Sequence, residues 1–173
     1  RFNEGLVSLT LGAPMRREFN PRTFPSTLTF LDICSSGDPV LDSVIPPNIT
    51  ELHIDFLMIP AGDSLKMPPN LKKFMIISDS GNQVYSWDPA SLPQGLTSFC
   101  SRFGMLEYSS SSLSLFPKTL THIQNIEFKD TILDGGAIDF SILPSLHTLR
   151  KIHFKDGADV IFPKSLTSFY CDW

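Results

Sequence analysis

"FPKTLTHI" (residues 116–123) and "FPKSLTSF" (residues 162–169) are near-copies of one phrase. Looser versions stand at 24–31 ("FPSTLTFL"), 45–52 ("IPPNITEL"), 67–74 ("MPPNLKKF") and 92–99 ("LPQGLTSF"). A phrase that returns at near-constant intervals marks a repeat architecture, and it has to be read before any single element. The unit is an apolar residue, Pro, two mostly polar residues, then Leu-x-x-Leu-x-Ile. Set on the first of its three apolar positions, it gives Leu6/Leu9/Leu11, Leu28/Leu31/Ile33, Ile49/Leu52/Ile54 and Leu71/Phe74/Ile76. The chain continues with Leu96/Phe99/Ser101, Ile123/Ile126/Phe128, Leu149/Ile152/Phe154 and Leu166/Phe169/Cys171. The spacings between these anchors are 22, 21, 22, 25, 27, 26 and 17 residues. The last is short, and two copies carry extra residues between Pro and anchor, so the register over 117–166 is the least defined part.

Leu-x-Leu alternation predicts a short strand with one buried face, and the first Leu turns the chain into it. One such strand cannot bury its face alone, but stacking on its neighbours builds a continuous core. The Pro ahead of each strand fixes φ and lacks an N–H, which suits an extended return and opposes helix. The expected fold is an α/β solenoid of a single domain over 1–173. Its parallel concave sheet has about eight short strands, and its convex side is extended or 3₁₀ with little helix. The longer middle copies leave room for a helical turn around "GAIDFSIL" (136–143).

These phrases resemble the leucine-rich repeat superfamily over nearly the whole chain. Two short-repeat subclasses are similar: bacterial effectors with L-P-x-x-L-x-x-L-x-V copies, and FNIP-type repeats with I-P-x-S-L-x-x-L copies. The Phe-Asn pairs at 2–3 and 19–20 and "LTLG" at residue 9 point toward the second, although their spacing to the strand departs from its register. Most leucine-rich repeats place Asn three residues after the third apolar position. This chain has Pro14, Ser36, Leu57, Asp79, Gly104, Thr131 and Gly157 there, so its turns need other partners. Neither end reads as a cap, which suggests a piece of a longer protein. The resemblance implies a horseshoe that binds partners on its concave face. The effector-type likeness implies the substrate-recognition part of a larger enzyme, for example a ubiquitin ligase.

Composition narrows the classes. The net charge of −4 gives no reason to expect nucleic-acid binding, and no apolar run approaches a membrane span. The first residues lack the pattern of a signal peptide. Cys34, Cys100 and Cys171 fall on strands three apart, about 14 Å at about 4.8 Å per strand, too far for disulfides. Free thiols favour a reducing, intracellular compartment. "NIT" at Asn48 matches a glycosylation sequon but also belongs to the repeat phrase. The serine run 109–112 reads as a solvated loop. No motif for catalysis, phosphate binding or metal ligation is present, so no enzyme and no cofactor is expected.

Function is therefore expected on the outward face of the sheet, with another protein as partner. In the anchored register Asp32, Glu51, His53 and Asp55 form an acidic patch on strands two and three. Arg102, Lys129 and Lys155 share a basic column on strands five to seven, with Lys73 and Lys151 near it. Like charges in a row give a fold nothing, so a partner is one explanation and plain solvation the other. A structural protein stacking copies of itself is the remaining class, because uncapped strands at both ends permit it.

Overall fold

The repeated phrase folds as a tight turn. In the computed structural model, which describes residues 3–12, 24–33, 45–55, 65–77, 84–85, 87–102, 105–129, 137–155 and 157–171, each Pro carbonyl closes a turn. Pro25, Pro46, Pro68, Pro93, Pro117 and Pro163 accept from the N–H of Leu28, Ile49, Leu71, Leu96, Leu120 and Leu166 at 3.0–3.3 Å. Leu146 makes the same bond to Leu143, with Pro144 inside the turn, where its fixed φ is favoured. The next two N–H groups then reach one carbonyl in the preceding coil. Thr29 and Phe30 donate to Val7, Thr50 and Glu51 to Thr29, and the pattern continues to Thr167 and Ser168 on His147. One phrase thus ends a return segment and docks the next strand in parallel on the last.

The strands are β1 (Ser8–Leu11), β2 (Phe30–Ile33), β3 (Glu51–Asp55), β4 (Lys73–Ile77), β5 (Val84–Tyr85) and β6 (Ser98–Arg102). They continue as β7 (Met105–Tyr108), β8 (His122–Phe128), β9 (Ile138–Asp139), β10 (Thr148–Phe154), β11 (Val160–Ile161) and β12 (Ser168–Cys171). Ten form one sheet, in which β1, β2, β3, β4, β6, β8, β10 and β12 lie side by side in chain order. All of these pairs are parallel. Off that path β7 pairs with both β5 and β8, and β9 pairs with β11 in a second, two-stranded sheet. The molecule is a solenoid of parallel strands. The expectation of about eight strands left out β5, β7 and the small second sheet.

The return segments contain 3₁₀ turns, and no α-helix occurs among the described residues. Two of the turns are capped by Asp: Asp88 accepts from Ala90 N–H at 3.0 Å, and Asp139 accepts from Ser141 N–H at 2.8 Å. The second turn, Phe140–Ile142, occupies the "GAIDFSIL" stretch. The serine run is no loop: Ser110–Leu115 is a 3₁₀ helix that buries Leu113.

One face of the strand rows is core. Leu31, Leu52, Phe74, Phe99, Ile123 and Leu149 stand at one register position and are at most 1% exposed. Rings follow one another through the core, with Phe74 stacked on Phe99 at 5.9 Å and Phe116 tilted against Phe99 at 5.8 Å between centroids. In place of an Asn ladder, the residue before the anchor ties the coil to the previous one at Thr27, Asn48, Thr119 and Ser165. Thr27 Oγ1 donates to Glu4 and Leu6 carbonyls at 2.7 and 2.8 Å, and Thr119 Oγ1 to Gln94 and Leu96 at 2.7 and 2.6 Å. Ser165 Oγ donates to Leu146 at 2.6 Å. Asn48 Nδ2 donates to Ser26 and Leu28 carbonyls, so a sugar on this sequon would break the contact between coils.

The register over 117–166 differs from the anchored reading. Phe99 pairs with Ile123, not Ile126, and Ile123 pairs with Leu149. The anchors of these copies are Leu120 and Leu146, which hold the turn bonds. Each strand then carries one extra residue in the left-handed region, Asn125 at φ 62° and Lys151 at φ 50°. These are aligned bulges. Ladder pairing runs from Gln124 and Arg150 directly to Ile126 and Ile152. A bulge re-phases the strand, so Ile123-x-x-Ile126-x-Phe128 imitates the anchor pattern one half-turn late. With Leu120 and Leu146 as anchors, the last spacing becomes 20 residues.

Candidate functional site

The face opposite the core presents two complete rows of side chains. The first runs Ser8, Phe30, Glu51, Lys73, Ser98, His122, Thr148, Ser168. The second runs Thr10, Asp32, His53, Met75, Cys100, Gln124, Arg150, Tyr170. Strand alternation puts both rows outward, because their neighbours along each strand fill the core.

Asp32, Glu51, His53 and Lys73 come together on β2, β3 and β4. His53 Nδ1 lies 3.6 Å from Asp32 Oδ2, and its Nε2 lies 3.3 Å from Glu51 Oε1. Lys73 Nζ closes on the other Glu51 oxygen at 3.2 Å. The edge of Phe30 meets the His53 ring at 5.0 Å between centroids, an arrangement that fixes the imidazole between its two carboxylates. The cluster is an ordered, half-exposed strip of two carboxylates, one imidazole and one ammonium. Asp55, expected beside it, is only 1% exposed, so the third position of this side of β3 is not open to a partner. Beyond Lys73 the strip turns apolar, through Met75 to the buried Cys100. Burial pushes the Cys100 thiol up, more than Ser98 and Lys73 pull it down, so it stays protonated and unreactive.

The expected basic column is not one column. Arg102 ends β6, whose pairing with β8 stops at Cys100 and Gln124. Past the bulge β7 takes over as the neighbour of β8, and Glu107 stands opposite Glu127. Lys129 forms an ion pair with Glu107, which offsets one of those two like charges. Lys155 follows the Phe128–Phe154 pair and so lies level with Lys129. Lys151 is a bulge residue, not a member of a row. The charge of Arg102 is thus separated from Lys129 and Lys155 by an inserted strand.

Four outward positions were missed because of the slipped anchor: His122, Gln124, Thr148 and Arg150. The three-residue step from Pro117 to Leu120, shared with the other copies, was the signal that would have placed them. His122 is shifted below the ordinary imidazole range by partial burial first; the charge of Arg150 adds to this and a Gln124 hydrogen bond opposes it. Cys100 and Cys171 are free thiols, and Cys34 lies outside the described residues. Among the described residues no group of three His, Cys, Asp or Glu is placed to hold a metal ion. No helix there is long and apolar enough to cross a membrane. Comparison of the chain with family models, with curated proteins and with solved structures gives no match.

Proposed function

We propose that this chain is a non-enzymatic interaction scaffold of the leucine-rich-repeat type, a horseshoe that holds a protein partner on the outward, concave face of its main sheet. One observation carries the reading. Along a single register position the core side is Leu, Ile or Phe in every coil, while the outward side changes through Phe, Glu, Lys, Ser, His and Thr. Stability accounts for the first regularity. The second, a chemically varied strip on a rigid frame, is how solenoids carry specificity. The ordered Phe30–Asp32–Glu51–His53–Lys73 cluster is the best-defined part of that strip, and its charges would set orientation and on-rate.

The test is affinity capture with one triple and one double variant. Asp32→Asn/Glu51→Gln/Lys73→Met alters the cluster, whereas Lys118→Glu/Lys164→Glu alters exposed lysines of the turns. A protein retained by wild type and by the turn variant, but lost by the cluster variant, supports the proposal. Retention by the cluster variant together with loss by the turn variant overturns it.

Self-association has one observation in its favour. Phe162 and Phe169 of the last described coil are 39% and 42% exposed, although Phe116 and Phe99 at the matching positions are buried. A second copy stacked head to tail would cover them, and sedimentation velocity over a concentration series with wild type and Phe169→Lys reads this directly.

A further inference from the structure

Besides histidine, the charged side chains of the two outward rows are Asp32, Glu51, Lys73 and Arg150. The first three are matched among themselves and their neighbours: Lys73 closes on Glu51, and Asp32 meets the His53 ring. Arg150 stands apart on β10. It is exposed and, among the described residues, makes no ion pair and no hydrogen bond. The positions facing it belong to Gln124 on β8 and Tyr170 on β12. Over β6, β8, β10 and β12 the rows read Ser98, His122, Thr148, Ser168 and Cys100, Gln124, Arg150, Tyr170, without one carboxylate.

The chemistry of this stretch is that of a donor seat. A guanidinium donates through five N–H groups and accepts nothing, and its fork fits the two oxygens of one carboxylate. Gln124 adds to it. Its hydrogen bond with His122 pulls the imidazole pKa up, so the amide oxygen accepts there and the NH2 remains to donate. Burial outweighs that bond and holds His122 below the ordinary imidazole range, which leaves the ring uncharged near neutral pH. Lys151, next in the chain, is a bulge residue outside both rows. The seat therefore has one positive charge. A carboxylate matches it, whereas a phosphate dianion leaves a charge unmet. Tyr170, 55% exposed, supplies an aromatic wall on the next strand.

Hydration would satisfy a lone guanidinium anywhere on a surface, but this one shares a row with the ordered cluster. β3 and β10 are four steps apart in the sheet, about 19 Å at about 4.8 Å per strand. About six residues of extended chain, at about 3.4 Å each, cross that gap. A segment lying across the strands thus reaches from His53 over Met75 and Cys100 to Gln124 and Arg150. Resting on the scaffold reading, we propose that the protein partner lays an extended acidic segment across the outward face and seats an Asp or Glu carboxylate on Arg150 and Gln124.

A phage-displayed library of random peptides of about twelve residues, long enough to span the gap, is panned on the whole chain. The enriched peptides should share an Asp or Glu. A synthetic copy with that residue changed to its amide should bind at least about tenfold more weakly. Arg150 is exposed, so Arg150→Gln and Arg150→Glu should melt close to wild type while weakening the acidic peptide at least as much. Reversing the peptide acid to Arg should restore binding to Arg150→Glu, which a merely disturbed sheet would not do. Four results overturn the proposal: no peptide is enriched, the amide copy binds like its acidic parent, Arg150→Gln binds like wild type, or the reversed pair binds no better than the mismatched one. Binding that survives Arg150→Gln but is lost in Asp32→Asn/Glu51→Gln/Lys73→Met leaves the scaffold reading standing and overturns only the Arg150 contact. Peptides indifferent to both variants count against both.

Discussion

The strands β1 to β4 and the strands β8 and β10 obey the same phrase with different outcomes. In the first group anchors are 21 or 22 residues apart, strands have four or five residues, and every pair runs without a gap. In the second, strands of seven residues each hold one left-handed residue, Asn125 or Lys151. The two insertions face each other, so β8 and β10 stay in register across them. Neighbours without an insertion respond in two ways. β6 stops pairing at Cys100 and β7 fills the vacated edge, while β12 pairs across the bulge, Tyr170 with Arg150 and Cys171 with Ile152. A solenoid thus tolerates an extra residue when adjacent coils share it, and it pays at the boundary with coils that do not.

If the bulged half is as well packed as the regular half, equivalent core truncations should cost the same. Phe74→Ala and Phe128→Ala are each expected to lose about 3–5 kcal/mol of unfolding free energy in urea. Both side chains are 1% exposed, with ring partners at 5.4 Å (Trp87) and 5.3 Å (Phe140). A cost for Phe128→Ala well under that of Phe74→Ala would show that the bulges loosen the core beneath them.

Next in size is the matching of the bulges. Deleting Lys151 alone leaves β10 one residue out of step with β8 beyond the bulge, and about 3 kcal/mol should be lost. Deleting Asn125 and Lys151 together restores a shared register, and also plain in–out alternation in both strands. More than half of the loss should return, despite damage where β7 pairs with β8. If the double deletion is worse than the sum of the two single ones, the bulges are held by their other neighbours rather than by each other.

A smaller effect separates the two bulge residues. Asn tolerates the left-handed region through its short polar side chain, whereas Lys does not. Lys151→Gly should therefore stabilise by about 0.5–1 kcal/mol, read as a shift in denaturation midpoint, and Asn125→Gly should change little. A destabilised Lys151→Gly would mean that the lysine side chain contributes more than its backbone strain removes.

The contrast also explains what the sequence disclosed. Parallel strands, extended returns and a Leu/Ile/Phe core were legible because turn, anchor and alternation repeat with fixed offsets. The Asp32–Glu51–His53 neighbourhood followed from that frame, since β2 and β3 contain no insertion. The basic column did not, because a bulge residue preserves apolar spacing while moving every outward side chain after it. Only the Pro-to-Leu step from Pro117 marked the true start. The burial of Asp55 and the branching of β7 depend on contacts between coils, which no single copy encodes.

The least of the expected effects falls on His122, one of the residues the slipped register hid. It stands outward on β8, level with Ser98 and Thr148. Partial burial is the main reason its folded form favours the neutral imidazole, with the Arg150 charge adding to it. A pKa lowered by folding means that the unfolded chain binds more protons between the two values, so stability rises with pH there. The contribution of His122 is complete above the unfolded value of about 6.5 and is lost as pH falls through it toward the folded value. His122→Gln keeps a polar outward side chain and removes the titration. Melting temperatures taken from pH 8 to pH 5 should converge or cross, with wild type losing more than the variant below about pH 6.5. Parallel curves would show that the imidazole is solvated enough to titrate alike in both states. Arg150 would then point away from the row that the bulge assigns to it.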